Sequence, residues 1–486
     1  MKKSSLSGNE SPRGNEDVEE VVGDNQPVDA VFGQIREGGP NYRNVGWLGT
    51  SVLMMKTQIG LGVLSFPVVF DTLGMIPGVI LMLTISGMTL WSNYMVGVFK
   101  LNHPDVYGLD DVGERIFGRI GREIFGVIFV LCETFVQEIG QRRWMLTKMR
   151  SVQIFTAGSA VISVSIALNA LSMHATCTAV FVAVAAIASF CLSSIRTLGR
   201  ISWLAWVGVS CIIIAVLTVT VAVGLQDRPS DAPQEGVWKS DYVLFANPTF
   251  TEAISAISTI IFSYAGTGAF FPIVSEMRDP GQYNKALFLC HSVVTIIYVT
   301  VGVVVYYYCG SYVASPALGS AGPLIKKVAY GIALPGLMMS AILLSHLASK
   351  YMFVRILRGT HHMTSNTLVH WSTWLGATFS TALVAYLLAS GIPIFGGLVS
   401  LAGALLGTFM SFQPMGCMWL YDNWSKGREN PNLKWRLMVC WSVFMVVIGS
   451  FLMIAGTYGS IVGIIDSFKA SGGSKAWSCA DNSNSV

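Results

Sequence analysis

Two apolar stretches of the chain are each interrupted by a pair of glycines and a proline. The first, residues 59–67, reads IGLGVLSFP, and the second, residues 264–272, reads YAGTGAFFP. Glycine and proline weaken a helix, and backbone released inside a membrane is tolerated only where it lines protein or a watery cavity. Half-helix N-termini at such breaks offer N–H groups to a carboxylate, and exposed carbonyl groups accept from an ammonium group. The pair of breaks therefore predicts a binding site for an α-amino acid.

Packing is the alternative explanation for these glycines. The chain contains 49 glycines, and small residues in membrane helices commonly allow helices to approach each other closely. One glycine pair alone would be interpreted as a packing contact. Two pairs in corresponding positions of the two halves instead indicate a site near the midplane of the membrane.

Ionisable side chains inside apolar segments form a second group of candidates. Lys56 lies one turn before Gly60. There it could supply a fixed positive charge in place of a bound sodium ion, or it could titrate with a coupled proton; snorkelling towards an interface is the alternative. The other members of this group are Glu133, Glu252, His291 and His346. For the two histidines, hydrogen bonding between packed helices is the more common explanation.

Composition indicates that these segments lie in a membrane. Of the 486 residues, 52% are hydrophobic and only 12% are charged, whereas soluble domains are about 25% charged. The net charge of +4 provides no basic surface of the kind that nucleic-acid binding requires. The nine cysteines include no Cys-x-x-Cys pair, and the signatures of ATPases, zinc proteases and serine hydrolases do not occur. We therefore expect no enzyme, no catalytic residue, no metal and no nucleic-acid partner.

Hydropathy predicts the elements that position the two breaks. Windows of about 20 apolar residues occur at 45–70, 75–99, 176–193, 201–224, 250–275, 286–308, 324–348, 368–390, 395–421 and 435–463. A further region, residues 124–175, counts as one span and brings the total to eleven. Lys and Arg residues then concentrate in the proposed inner loops, which favours a cytosolic N-terminus and an outward C-terminus. Spans one to five and six to ten are predicted to form an inverted repeat whose first and sixth spans are broken.

Three parts of the chain follow from this pattern. Residues 1–44 are polar and lack an apolar run of signal-peptide length, so they are predicted to form a disordered cytosolic tail. Residues 45–465 form the transmembrane domain. Residues 466–486 form a short tail that faces outwards.

A charged segment interrupts the third predicted span. Residues 137–153 carry Arg142, Arg143, Lys148 and Arg150. One Lys or Arg at the centre of a membrane helix costs roughly 2.5 to 3.5 kcal/mol, so four cannot lie inside one span. We interpret residues 137–153 as an insertion, such as a translated intron. An interfacial amphipathic segment or a re-entrant loop is the alternative.

Several motifs resemble those of a known family. Residues 276–280, which read EMRDP after the second break, and residues 60–67 together resemble the amino acid/auxin permease family. More narrowly, the chain looks like the neutral amino acid permeases of filamentous fungi at residues 316–318, 320–324 and 331–335. The resemblance covers about residues 45–480. Residues 137–153 have no counterpart in the family pattern.

The resemblance implies a fold, a function and a set of site residues. The fold would be an all-α, LeuT-like one of the APC superfamily, with about eleven transmembrane helices in a five-plus-five inverted repeat. The function would be proton-coupled import of neutral aliphatic and aromatic amino acids, with no cofactor beyond the coupling proton and with the lipid bilayer as the other partner. The substrate-binding residues would be Gly60, Gly62, Ser263, Tyr264, Gly266, Thr267 and Gly268. The candidates for proton coupling are Lys56, Glu276 and His346, with an ion pair that anchors a loop as the alternative for Glu276.

Two cysteines would face outwards in this topology. Cys177 opens the fourth span, and Cys479 lies in the C-terminal tail. They could form a disulfide that pins the tail across the outer face, and fungal relatives look as though they also carry cysteines there. Two unpaired thiols are the alternative.

Location and direction stay open at this stage. We expect a multi-pass protein of the plasma membrane that imports its substrate. An exporter of the same family in the vacuolar membrane is one alternative. A non-transporting amino acid sensor, whose N-terminal tail carries the signal, is another.

Overall fold

The structure is a computed structural model. It describes residues 31, 42–60, 62–130, 152–229, 232–233, 235–236, 238–314, 316–363, 365–391, 395–429, 431–470, 477 and 479–483. Most of the predicted N-terminal tail, Glu133 and residues 137–151 of the predicted insertion lie outside the described residues.

Helices account for most of the described chain. The first eight are α1 (Trp47–Gln58), α2 (Phe66–Leu73), α3 (Met75–Asn102), α4 (Leu109–Val130), α5 (Val152–Ser172), α6 (Thr178–Ser193), α7 (Leu198–Leu225) and α8 (Phe250–Tyr264). The next eight are α9 (Thr267–Ser275), α10 (Tyr283–Cys309), α11 (Pro323–Leu357), α12 (Leu368–Gly391), α13 (Phe395–Ala402), α14 (Thr408–Ser411), α15 (Gln413–Glu429) and α16 (Leu433–Ala470). A 3₁₀ turn, Val63–Ser65, precedes α2, and a π-helical turn, Gly403–Gly407, joins α13 to α14.

Several helix ends follow from local sequence. Proline opens α11 after Gly322, where its missing N–H has no intrahelical partner to lose. Thr249 and Glu252 form a capping box at the start of α8: the Thr249 N–H donates to Glu252 Oε2 at 2.8 Å, and the Glu252 N–H donates to Thr249 Oγ1 at 3.4 Å. Glu252, a candidate among the ionisable residues, therefore caps a helix.

Length and composition identify a polytopic membrane protein. Within the described part of the chain, nine helical segments are long and apolar enough to cross a membrane, and two shorter apolar helices cover Ala157–Ser172 and Thr178–Ser193. The predicted all-helical membrane fold is confirmed at this level. The last helix, α16, runs to Ala470, which is beyond the predicted start of the C-terminal tail at residue 466.

The two interrupted segments occupy the centre of the bundle. The apolar windows of the segments Trp47–Leu73 and Phe250–Ser275 are 88% and 89% buried, whereas that of Leu433–Ser467 is only 22% buried. A third segment, Gly396–Glu429, is also 89% buried. The least accessible segments are thus the ones whose helices are irregular.

Helices α5, α6, α11 and α12 pack against one another, and we call this group the frame. Ser189 of α6 lies with its Oγ 3.2 Å from that of Ser345 in α11, and Ser349 of α11 donates to Thr381 Oγ1 of α12 at 3.2 Å. The C-terminal residues cross one end of the frame, where Cys479 is joined to Cys177 by a disulfide.

Candidate substrate site

The first break separates α1 from α2. Helix α1 ends at Gln58, Ile59 is extended, and Gly60 has a φ of +149°, a conformation that side chains strongly disfavour. A Cβ atom at Gly60 would also lie 2.7 Å from Ser340 Oγ. Pro67 lies in the first turn of α2, where proline is well tolerated. The glycines therefore make the break, and the proline begins the second half-helix.

The second break separates α8 from α9. Helix α8 ends at Tyr264, and the Gly266 N–H donates to the Tyr264 carbonyl at 2.8 Å. Helix α9 begins at Thr267 without a side chain that caps it. The predicted site residue Gly268 is buried in the first turn of α9.

The two breaks lie against each other. A Cβ atom at Gly62 would be 2.6 Å from Ser263 Cβ, and one at Gly266 would be 2.9 Å from Thr57 Oγ1. The Gln58 amide donates to the Tyr264 carbonyl at 3.3 Å. Both glycines are thus needed for close approach. Of the predicted site residues, the structure brings Gly62 against Ser263 across the two breaks. Gly60 instead faces Ser340, and Thr267 faces Asn93 and Ser411.

Aromatic rings cover one side of the two breaks. The ring centroids of Phe66 and Tyr298 are 4.5 Å apart, and those of Tyr264 and Tyr298 are 5.2 Å apart. The Tyr298 hydroxyl donates to the Ser263 carbonyl at 3.0 Å, which satisfies one of the last carbonyl groups of α8. This wall carries no formal charge.

Lys56 points into the protein beside the first break. Its side chain is only 2% exposed, and its Nζ donates to Ser340 Oγ at 2.7 Å and to the Ile59 carbonyl at 3.1 Å. Snorkelling towards an interface is therefore wrong for this residue. Among the described residues, no carboxylate pairs with it.

Glu276 forms a fully buried ion pair with Lys350 of α11. The ring of Tyr42 lies over the Lys350 ammonium group, with 4.4 Å between the nitrogen and the ring centroid. The Val45 N–H donates to the Glu276 carbonyl at 3.2 Å. The anchoring ion pair proposed as the alternative for Glu276 is thus the arrangement that the structure shows.

The two candidate histidines occupy different surroundings. His346 lies inside the frame, with Nδ1 3.2 Å from the Ser193 carbonyl and its ring 5.3 Å from that of Trp374. His291 is nearer the breaks, because its ring centroid is 5.7 Å from that of Tyr264. Its Nε2 lies 2.7 Å from Ser86 Oγ. Both nitrogens therefore join helices to one another, as the packing explanation predicts.

A polar cluster lies at the start of α9. Thr267 donates through Oγ1 to Asn93 Oδ1 of α3 at 2.7 Å. Thr267 Oγ1 also lies 3.2 Å from Ser411 Oγ of α14. The cluster joins the second break to the third buried segment.

Comparison with known proteins now identifies the family. Residues 43–462 match the family model described as "Transmembrane amino acid transporter protein". The chain belongs to this family of transmembrane amino acid transporters. The predicted resemblance to the amino acid/auxin permeases is therefore confirmed.

Fungal relatives of this transporter match it over nearly their full length. A "Transmembrane transporter" of Fusarium pseudograminearum is 34% identical over 96% of this chain and 94% of its own. One of Gibberella moniliformis is 33% identical over 97% and 96%. The "N amino acid transport system protein" of Neurospora crassa is 31% identical over 92% of this chain and 91% of its own.

Three features of the transporter's site escaped the sequence analysis. Tyr298 lies in an apolar run of α10, where no neighbouring residue marks it as part of a site. The glycines of the π-helical turn at Gly403–Gly407 do not differ from the many other glycines of the apolar segments. Asn93 was detectable, because a buried asparagine within an apolar helix requires a polar partner.

Proposed function

We propose that this transporter imports neutral aliphatic and aromatic amino acids together with protons across the plasma membrane. The proposal includes eleven spans in a five-plus-five, LeuT-like inverted repeat with a cytosolic N-terminus. In it, α1 with α2 is the broken first span, and α8 with α9 is the broken sixth span. The juxtaposition of Gly62 with Ser263, so close that a Cβ atom added at Gly62 would lie 2.6 Å from Ser263 Cβ, is the observation that carries the proposal, because it joins both breaks into one site.

The ends of the half-helices match the two charged groups of an amino acid. The 3₁₀ turn after Gly62 and helix α9 after Gly266 both begin without a side-chain cap. Their first N–H groups and positive helix ends favour a carboxylate. The carbonyl ends of α1 and α8 lie beside them and favour an ammonium group.

The aromatic wall supports a neutral substrate side chain. Phe66, Tyr264 and Tyr298 offer apolar surface and π faces beside the breaks. Aromatic side chains pack well against such rings, and a charged side chain would lose its hydration there without gaining a partner of opposite charge.

Lys56 is the coupling residue that the contacts favour. Glu276 is engaged by Lys350, and His346 is held within the frame. Protonated Lys56 links the carbonyl end of α1 to Ser340 of α11. Loss of its proton would remove both the charge and one donor, and would therefore loosen α1 from the frame. This change couples proton release to movement of a broken helix.

Uptake measurements test the proposal directly. Radiolabelled leucine and phenylalanine would be offered at acidic outside pH, with and without a protonophore, to cells that express either the complete chain or a variant lacking residues 137–153. Protonophore-sensitive uptake by the complete chain is the expected result, and the shortened chain tests whether the segment is tolerated or disruptive. Uptake by the shortened chain alone would assign the function to the family fold and identify residues 137–153 as the defect.

Absence of uptake by both proteins, despite surface expression, would contradict the proposal. Amino-acid-dependent stabilisation of the purified protein, without flux in any vesicle, would then indicate a sensor. Proton-driven efflux from isolated vacuoles would indicate the vacuolar exporter.

A further inference from the structure

The buried side-chain amide of Asn93 lies beside the start of α9, and its N–H donors have no hydrogen-bond partner among the described residues. Asn93 is 0% exposed in the middle of α3. Its Oδ1 accepts from Thr267 Oγ1 at 2.7 Å, and its main-chain carbonyl accepts from the Tyr283 hydroxyl at 2.9 Å. The amide group is thus fixed against the first residue of α9.

The nitrogen of this amide differs from the oxygen in its surroundings. Asn93 Nδ2 is buried and has no hydrogen-bond partner among the described residues. The group carries two N–H donors. Burying such a group without a partner is strongly unfavourable, so native structures rarely do so unless a ligand or water meets the donor.

The first turn of α9 adds donors at the same place. Helix α9 spans nine residues, Thr267–Ser275, and its N-cap residue, Gly266, has no side chain that could accept from them. The first N–H groups of a helix lack intrahelical acceptors, and this end of the helix carries partial positive charge. The Ala269 N–H donates to the Gly266 carbonyl at 2.9 Å, so an anionic oxygen here would meet the N–H groups of Thr267 and Gly268 together with the Asn93 amide.

We propose that Asn93 is a substrate-binding residue whose Nδ2 donates to a carboxylate oxygen of the bound amino acid. This inference rests on the proposed function and adds a side-chain donor for the carboxylate, which the proposed site otherwise binds through backbone N–H groups. Thr267 is the positioning residue, because its hydroxyl holds Oδ1 and thereby leaves Nδ2 for the ligand. Hydrogen bonds to a charged acceptor are the stronger kind, so this contact favours a carboxylate over an uncharged group.

The variant Asn93→Asp separates ligand binding from packing. It keeps the shape and the oxygen that accepts from Thr267, but it replaces the donor with an oxygen that repels a carboxylate. We would measure half-maximal uptake of leucine and half-maximal inhibition by leucinamide, which lacks the carboxylate, in the full-length chain. The leucine value is expected to rise about tenfold or more, which corresponds to about 1.4 kcal/mol, while the leucinamide value changes much less.

Two further variants guard against a folding defect. Ser92→Ala is the matched control, because Ser92 is the neighbouring residue of α3 and also has a buried hydroxyl without a partner in the described chain; it should leave both values unchanged. Asn93→Ser removes the amide but keeps a hydroxyl. It is expected to weaken the binding of leucine more than that of leucinamide, and it tests the inference even if Asn93→Asp does not reach the membrane.

If the Asn93 variants weaken the binding of leucine and leucinamide equally, or weaken neither, the inference is overturned. The amide would then serve packing or bind a water molecule. Failure of the unmodified chain to transport either amino acid would instead contradict the proposed function. The two kinds of failure are therefore distinguishable.

Discussion

At the residue scale, the closest contacts between the two breaks are made by glycines. We expect Gly62→Val and Gly266→Val to reduce leucine uptake to background while the protein still reaches the membrane. The added side chains would collide with Ser263 in the first case and with Thr57 and Phe270 in the second. Initial uptake rates, normalised to surface protein, would be measured.

Gly87→Val is the matched control for these substitutions. Gly87 lies in α3, is exposed on the bundle, and a Cβ atom there would meet nothing within 4 Å. Its variant should transport normally. Normal transport by both break variants would show that the breaks do not form the site.

The buried charge of Lys56 leads to a second prediction at this scale. We expect Lys56→Met to make uptake nearly independent of external pH and of protonophores, because the group that exchanges the proton is gone. Lys100→Met is the matched control and should keep the pH dependence. Lys100 is also buried, but its Nζ donates to the carbonyls of Pro104 and Val106, which follow the end of α3. A pH profile that is unchanged in Lys56→Met would remove this residue from the coupling mechanism.

At the element scale, one ion pair holds the ends of both broken segments to the frame. Glu276, which follows α9, pairs directly with Lys350 of α11. Val45, which precedes α1, is linked to this pair because its N–H donates to the Glu276 carbonyl. In the proposed orientation this contact lies on the cytosolic side. In the proposed mechanism, the ion pair would close that side of the site and would break when the broken helices turn to release substrate inwards.

Glu276→Gln is expected to increase cytosolic access to the site. The native thiol of Cys290, which lies 4.0 Å from Gln58 Oε1 beside the breaks, reports on this access. In inside-out vesicles, an impermeant thiol reagent should label Cys290 faster in Glu276→Gln than in the unmodified protein, with the site of labelling identified by mass spectrometry. The exchange variant Glu276→Lys with Lys350→Glu should restore slow labelling. Equal labelling rates in all three proteins would show that the ion pair serves stability alone.

Sequence patterns predicted some of these elements better than others. The breaks were visible because glycine and proline act locally on the backbone, and the apolar windows were visible because each span meets lipid or protein along its whole length. The pairing of Glu276 with Lys350 and the contact of Asn93 with Thr267 depend on helices that are far apart in the sequence, so no local pattern encodes them. The π-helical turn is a long-range effect too, since Gly403 packs directly on the Ser258 carbonyl of α8.

At the scale of the whole molecule, the described C-terminal residues, 477 and 479–483, form a strap that is bonded to the frame. Besides the disulfide to the start of α6, the strap reaches α5, α6, α11 and α12 through the following hydrogen bonds: Asn169 to Asn482 at 2.7 Å, Thr178 to Ala480 at 2.7 Å, Lys326 to Ser483 at 2.5 Å, and Trp477 to Ser390 at 2.9 Å. These contacts fasten together helices that already pack as a group. None of these contacts involves a residue of the broken segments Trp47–Leu73 and Phe250–Ser275.

Transport should therefore proceed with the Cys177–Cys479 disulfide closed. We expect Cys479→Ser to lower the thermal unfolding temperature of the purified protein by several degrees while leaving uptake per surface molecule nearly unchanged, because the disulfide limits motion within the frame and not between the frame and the broken helices. Cys440→Ser, at an exposed free cysteine of α16, is the matched control and should change neither quantity. Faster uptake per surface molecule in Cys479→Ser, or after chemical reduction of the disulfide, would contradict this expectation. It would mean that the strap restrains the transport movement and that helices of the frame also move during transport.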